Sequence, residues 1–227
     1  MRGGKKVNQQ VIIEVWGDLA CFTRPEAKVE RLSYPIPTPS SMRGVLNAIY
    51  SKPPLFHWQI NRIEILNPIK FINCKRNEVK VKTDGKRTIV VDDMENVRTQ
   101  RQSVILQDVR YRVYASIIRH NDCIHTIDQL YQQANRRIEN GKCFYQPSLG
   151  CREFVAYFEK SDLKRPPIDH TQDIGLMLYD VFDLNKTEPL VKGKPYVSLF
   201  HAKIEKGIIE IPDFNDSSVL KPGGNHA

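Results

Sequence analysis

The 227-residue sequence lacks the patterns of a membrane or secreted protein. It contains no stretch near the length of about 18 apolar residues that a membrane helix requires. The five cysteines form no C-x-x-C pair, and an odd number without a signal peptide argues against a disulfide framework. We therefore expect reduced thiols, a cytoplasmic location and no membrane partner.

Motifs for cofactors and metals are also scarce. No Walker, G-x-S-x-G or dinucleotide-binding sequence is present. His120, Cys123 and His125 are close in sequence, but a fourth zinc ligand at a familiar spacing is missing. The acids within 92–95 resemble a Mg²⁺ cluster, yet they lie in a polar stretch where solvated acids are typical. The sequence predicts neither a cofactor nor a metal site.

Negative charge is the minority sign. Lysine and arginine number 34 against 26 aspartates and glutamates, which gives a net charge of +8 and a pI near 9.2. Hydrophobic residues make up 41% of the chain, enough for a packed core. A basic globular protein of this kind favours polyanionic partners such as nucleic acid.

The apolar patterns predict an α+β fold. Helices should begin at the N-caps Thr38, followed by Pro39, and Thr126, which opens the capping box Thr126-Ile-Asp-Gln129. Strands are predicted at 11–16, 58–66, 69–74, 104–118 and 152–159, with a hairpin at Asn67-Pro68. Four of these five strands, with the two helices, give the order strand, helix, strand, strand, helix, strand of a ferredoxin-like, RRM-like βαββαβ core. Its helices cover one sheet face and leave the other for binding.

The remaining chain predicts a small C-terminal antiparallel β domain. Its apolar runs are 174–182, 196–204 and 208–211. We expect the ferredoxin-like domain at 1–160, with a basic excursion at 75–103, the β domain at 173–214 and a flexible tail at 215–227.

Basic residues concentrate between positions 75 and 112. The strand at 104–118 alternates, so one face should carry arginines and Tyr114 while the other enters the core. Arg152 follows a glycine turn, where contact with RNA and pairing with neighbouring acids both remain open. The predicted phosphate-binding and base-stacking residues are Lys75, Arg76, Lys80, Lys82, Arg98, Arg101, Arg110, Arg112, Tyr114 and Arg152.

Short segments along about 180 residues resemble the d-variant of the fifth CRISPR-associated protein family, the repeat-processing subunit of type I-C systems. The segments are VIIEVWGDLACFTRPE (11–26), SYPIPT (33–38), LNAIY (46–50), RNEV (76–79), NVRTQRQS (96–103), LQDV (106–109), LGCREF (149–154) and DIGLMLY (173–179). The resemblance implies the same core and C-terminal domain, and metal-independent cleavage of CRISPR repeat RNA beside its stem-loop. It also implies retention of the product in an interference complex with other subunits, and double-stranded DNA is kept as a further partner.

The family associates cleavage with a tyrosine late in the first helix and a Lys-His pair at the end of the long strand. Tyr50, Arg119 and His120 occupy these positions. Cleavage by the RNA 2′-hydroxyl needs a proton acceptor, a proton donor and positive charge. We expect His120 to face solvent and Tyr50 to lie off the apolar stripe with an exposed hydroxyl. Arg119 departs from the pattern, because a guanidinium can stabilise phosphate charge but cannot relay a proton.

Two other hypotheses remain. The chain can be a non-catalytic scaffold that clamps the guide RNA, which the arginine at 119 favours. It can also be an RRM-like RNA-binding module unrelated to CRISPR systems.

Overall fold

Antiparallel strands dominate the computed structural model, which describes residues 9–27, 30–79, 98–186 and 195–223. The strands and helices, in chain order, are β1 (Val11–Ala20), β2 (Arg31–Leu32), α1 (Pro39–Ile49), β3 (Phe56–Ile65), β4 (Phe71–Val79), β5 (Arg98–Arg119), α2 (Ile127–Glu139), β6 (Tyr157–Lys160), β7 (Gln172–Asp180), β8 (Ser198–Ile204) and β9 (Ile208–Glu210). The fold is therefore α+β.

The 22-residue strand β5 is the centre of the main sheet. The order across the sheet is β6-β1-β5-β3-β9, with antiparallel neighbours. β2 joins β5 in parallel, and β4 joins it antiparallel near its N-terminal end. β7 and β8 form a separate two-stranded sheet.

The predicted alternation of β5 is confirmed on its core side. Val109, Tyr111, Val113, Ala115 and Ile117 are all buried. The register places β1 and β3 residues beside them, and the helices pack against these strands. This face of the sheet is the hydrophobic core.

The predicted hairpin at Asn67-Pro68 was wrong. β3 pairs with 111–119 of β5 and β4 with 98–106, so the two strands follow each other along one partner. Between these ladders Asp108 adopts a positive φ of 52°, and its carbonyl accepts a hydrogen bond from Asn67 Nδ2 at 2.8 Å. The chain therefore bends at Asn67-Pro68 without reversing, because β5 is long enough to pair with both strands.

Two predicted strands near the C-terminal half were also wrong in part. The predicted strand 152–159 is shortened to β6, because Phe154 N–H donates to Cys151 O at 3.0 Å and closes a turn. The run at 208–211 forms β9, which joins β3 of the main sheet and leaves β7 and β8 as the small sheet.

Both predicted helix starts are confirmed. Thr38 Oγ1 accepts from Ser41 N–H at 3.1 Å, and the hydrophobic side of α1 is buried. Thr126 and Gln129 form the reciprocal capping box of α2, with distances of 3.3 and 3.0 Å. Each helix therefore begins where its side-chain cap replaces the missing backbone partner.

Part of the tail predicted at 215–227 packs against β8. Val219 is buried, and Leu199 and Leu220 exchange backbone hydrogen bonds of 3.0 and 2.8 Å. Within the described ranges, no helix has the length and apolar character needed to cross a bilayer.

Candidate active site

His120 lies immediately after β5, at the edge where β3 begins. Its backbone N–H donates to Leu55 O at 2.9 Å, and its ring is half-buried. The centroid of that ring is 5.1 Å from the centroid of the His57 ring, with 43° between the planes. The β3–β5 register sets His57 opposite Ile118, which brings the two imidazoles together. His120 is thus less exposed than predicted, because His57 covers part of it.

Both imidazoles favour the neutral form. Burial lowers the pKa of His57 to about 4, with a further contribution from the charges of His120 and Arg43. Burial also lowers the pKa of His120, against an opposing effect from Asp122. A neutral imidazole carries an unprotonated ring nitrogen, so His120 can accept a proton at pH 7.

Arg119 is exposed and is held by the turn that follows His120. Its Nη2 donates to Cys123 O at 2.9 Å, while Cys123 N–H donates to His120 O at 3.1 Å. The same turn therefore holds the Arg119 guanidinium and the His120 backbone. A guanidinium in such a position supplies the kind of positive charge that stabilises a phosphate.

The exposed hydroxyl expected at Tyr50 was wrong. The side chain is only 3% exposed, and its ring lies 5.3 Å from the ring of Phe56. Tyr50 caps α1 in an extended conformation, with φ of −149°, so it no longer follows the helical spacing from which exposure was predicted. Burial raises the pKa of Tyr50, with a further contribution from Cys123. Its hydroxyl is therefore protonated at neutral pH and can donate.

A cavity of about 200 Å³ reaches Tyr50 from the side of α2. Lys52 and His125 line it too, and Lys52 Nζ lies 3.4 Å from His125 Nε2. Among the described residues no hydrogen bond joins Tyr50 to His120; Cys123 is near both. Sequence reasoning missed Lys52 and His57 as site residues, although Lys52 is two positions from Tyr50.

The paired strands β4 and β5 carry the described part of the predicted basic surface. Lys75 and Arg98 are exposed. Arg76 lies opposite Arg101 in the register, and each reaches a carboxylate, at 2.5 Å for Arg76–Glu153 and 3.4 Å for Arg101–Glu78. Arg152 is exposed in the turn before β6. Lys80 and Lys82 lie outside the described residues.

The open arginine face predicted for β5 was wrong at Arg112. Its side chain is 3% exposed, and its guanidinium lies 3.0 Å from Glu14 and 2.7 Å from Glu64. The register sets these glutamates opposite Arg112 on both sides. Ser161 Oγ and Arg165 O accept further hydrogen bonds from it. Arg112 is therefore enclosed and cannot reach a phosphate in this conformation.

The neighbours of Arg112 are only partly accessible. Arg110 pairs with Glu14 at 2.7 Å and Glu159 at 2.5 Å, and its guanidinium lies 4.5 Å from the centre of the Trp16 ring. Tyr114 is half-buried, with Arg62 5.5 Å from its ring centre. The arginines on this face of the sheet are paired with glutamates, so the face presents fewer accessible cations than predicted.

A family model named Cas_Cas5d, described as CRISPR-associated protein (Cas_Cas5), matches residues 11–212. The chain belongs to the Cas5d family. The family resemblance seen in the sequence is therefore confirmed. This chain is 38% identical over 211 residues to a protein of Thermus thermophilus named CRISPR pre-crRNA endoribonuclease Cas5d, and the alignment covers 88% of this chain and 90% of the relative. It is 36% identical over 232 residues to a protein of the same name from Mannheimia succiniciproducens, covering 93% and 99%.

Two solved structures share the fold of this chain. A crystal structure of a CRISPR-associated protein aligns with a TM-score of 0.65 and 18% identity, covering 93% of this chain and 96% of that one. A functionally uncharacterized protein from Streptococcus mutans aligns with a TM-score of 0.64 and 20% identity, covering 93% and 97%. At these identities the likeness concerns the fold.

Proposed function

We propose that this Cas5d-family protein is an endoribonuclease that cleaves precursor CRISPR RNA at the repeat stem-loop and remains bound to the guide RNA in a type I-C interference complex. The curated relatives, which this chain matches over most of its length, are named as pre-crRNA endoribonucleases. The observation that carries the proposal is a half-buried imidazole, His120, at the end of β5, with its ring 5.1 Å from that of His57 and the exposed Arg119 directly before it in the chain.

The chemistry needs no metal. His120 removes the proton from the 2′-hydroxyl, whose oxygen attacks the adjacent phosphorus. The bond to the 5′ oxygen breaks, and that oxygen takes a proton from water, because the Tyr50 hydroxyl, the donor expected from the sequence, is buried in this conformation. Arg119 stabilises the added negative charge on the phosphate. The products are a 2′,3′-cyclic phosphate and a 5′-hydroxyl.

Incubation of a labelled repeat stem-loop with the protein in EDTA tests the mechanism. We expect cleavage by the wild type, and a loss of roughly 10²- to 10⁴-fold in His120→Ala, since this is the usual contribution of acid–base catalysis. His201→Ala is the matched control, because His201 is exposed on β8. Loss of cleavage on adding EDTA, or full activity in His120→Ala, contradicts the mechanism.

A non-catalytic scaffold that clamps the guide RNA is the second candidate. It is favoured by the arginine at 119, whose guanidinium donates to Cys123 O and cannot transfer a proton at neutral pH. In that case the purified protein binds the repeat tightly and leaves it intact. Arg119→Lys then distinguishes the reasons for inactivity, because a gain of cleavage shows that the missing proton relay was the cause.

The finer structural and binding predictions are proposals of the same kind. The strand order β6-β1-β5-β3 supports a ferredoxin-like core. In the sequence, α1 comes between β1 and β3, and α2 comes between β5 and β6, as that core requires. Exposed Lys75, Arg98 and Arg152 are the described cations best placed to bind RNA phosphates. Addition of a DNA duplex to the binding reaction tests double-stranded DNA as a competing partner.

A further inference from the structure

Two cysteines meet at the end of β1 that lies away from His120. Cys21 follows β1 directly, and its backbone N–H donates to Leu149 O at 3.0 Å. Cys151 follows Gly150, whose φ is +85° and where an added Cβ would lie 2.0 Å from Cys21 O. The glycine turn therefore presses the backbone of the 149–151 segment onto Cys21. Cys151 Sγ lies 3.8 Å from Cys21 O.

The surroundings give the two thiols different characters. Arg31 Nη1 lies 3.1 Å from Cys151 Sγ. The hydrogen bond from Cys21 and the charge of Arg31 lower the pKa of Cys151, although burial opposes them. The same hydrogen bond and burial raise the pKa of Cys21. Cys151 is thus the more acidic of the two thiols and Cys21 the less acidic.

Small molecules can reach this pair. Both cysteines line an open cavity of about 360 Å³ between β1, α1 and β7. Cys21 is 1% exposed, whereas Cys151 is partly exposed. A peroxide entering the cavity therefore meets the Cys151 sulfur before the Cys21 sulfur.

We propose that Cys151 and Cys21 form a peroxide-oxidisable dithiol, with Cys151 as the nucleophile and Cys21 as the resolving thiol. The Cys151 sulfur attacks one peroxide oxygen, the O–O bond breaks, and the departing oxygen leaves as water or an alcohol after taking a proton. Cys21 then loses its proton and attacks the resulting sulfenic sulfur, the S–O bond breaks, and water leaves. Two thiols are oxidised to one disulfide, and one peroxide is reduced.

The pH profile of alkylation tests the nucleophile in the wild-type protein. Reduced protein is treated with iodoacetamide across pH 5 to 10, and each cysteine peptide is quantified by mass spectrometry. The alkylation rate of Cys151 should reach half its maximum roughly one pH unit or more below those of Cys74 and Cys143, because the thiolate is the reacting form. Arg31→Gln should move the Cys151 midpoint upward. A Cys151 midpoint at or above those of Cys74 and Cys143 overturns the proposal.

Oxidation tests the resolving thiol. One equivalent of hydrogen peroxide should yield a peptide joining Cys21 to Cys151 that has lost two hydrogens and is separated by a reductant. Cys21→Ala should instead leave a Cys151 sulfenic acid that a 1,3-dione probe traps, and Cys151→Ala should leave Cys21 reduced. Preferential cross-linking through Cys74, Cys123 or Cys143 overturns the proposal, and so does equal oxidation of all five cysteines in the wild type. These readouts use no RNA, so their failure is separate from any failure of the proposed nuclease.

Discussion

Removal of Arg112 should be among the most damaging single changes in this protein. The side chain is buried between Glu14 and Glu64, whose own side chains are 4% and 7% exposed. In Arg112→Ala the two carboxylates stay in place by the register of β1, β3 and β5 and lose the charge that pairs them. Glu14 then keeps Arg110 at 2.7 Å, whereas Glu64 keeps only the more distant Arg62 at 3.9 Å, so the buried carboxylates lose most of the charge that compensates their desolvation.

Breaking a buried ion pair by removing one partner costs about 3–5 kcal/mol in free energy of unfolding. For a domain of this size, each kcal/mol corresponds to a fall of roughly 2–4 °C in Tm. Arg112→Ala should therefore lower Tm by roughly 6–20 °C. Arg110 still pairs with Glu14, which favours the lower half of that range.

The pH dependence gives the prediction a second test. Burial alone would raise the pKa of Glu14, but hydrogen bonds from Arg110, Arg112 and Ser161 outweigh it and lower the pKa from its ordinary value of 4.5. The wild type therefore has this stabilisation in full above pH 4.5 and loses it as the pH falls through the folded-state pKa. In Arg112→Ala the Glu14 carboxylate loses one of the hydrogen bonds that lower its pKa and binds protons more readily, so the deficit against the wild type should shrink in acid.

Urea unfolding followed by circular dichroism at pH 7 and at pH 4 measures both effects. Arg152→Ala is the control, because Arg152 is exposed and a surface change of this kind should stay within about 0.5 kcal/mol. A loss below about 1 kcal/mol in Arg112→Ala, equal at both pH values, would refute the assignment of a buried ionic network.

Three further changes test other parts of the fold, each by thermal or urea unfolding. Thr126→Ala removes the capping box of α2 and should cost about 1 kcal/mol, and Thr126→Ser should recover most of it. Gly150→Ala should lower the free energy of unfolding by roughly 1–3 kcal/mol more than Gly141→Ala does. Both glycines have a positive φ, but only at Gly150 would an added Cβ meet a backbone atom of Cys21. Equal losses in the two variants would argue against that close approach. Between pH 6.5 and pH 4 the free energy of unfolding of the wild type should fall by roughly 1–3 kcal/mol because of His57, whose pKa in the folded protein is about 4. His57→Gln should make this fall with decreasing pH smaller.

Local patterns predicted the elements well because local physics decides them. Thr38 and Thr126 begin helices since their hydroxyls satisfy backbone donors, whatever the rest of the chain does. The alternation in β5 was readable because one face enters the core. Strand partners were less predictable: a proline after Asn67 is typical of a hairpin, but the length of β5 allowed β3 and β4 to share it.

The candidate site was predictable only as a set of residue types. The sequence indicates that His120 follows a long strand, but the proximity of His57 depends on a β3–β5 register that no local pattern reveals. Tyr50 was assigned to the exposed side of α1, and the error arose because the helix ends one residue earlier and the backbone turns the ring inward. Arg112 was predicted to bind phosphate from its place on the polar face of β5. Its pairing with Glu14 and Glu64 was not predictable, because both glutamates are distant from it in sequence.

The positions of the arginines also decide where RNA can bind. A guanidinium already shared between two buried carboxylates, as at Arg112, would have to leave them uncompensated before it could contact a phosphate. Arg119 has no such cost, because its side chain is exposed and its bond goes to an uncharged backbone carbonyl. Among the arginines of β5, we therefore propose Arg119 rather than Arg112 as a contact for an RNA phosphate. The proposed chemistry then lies at the end of β5, where His120 follows the strand.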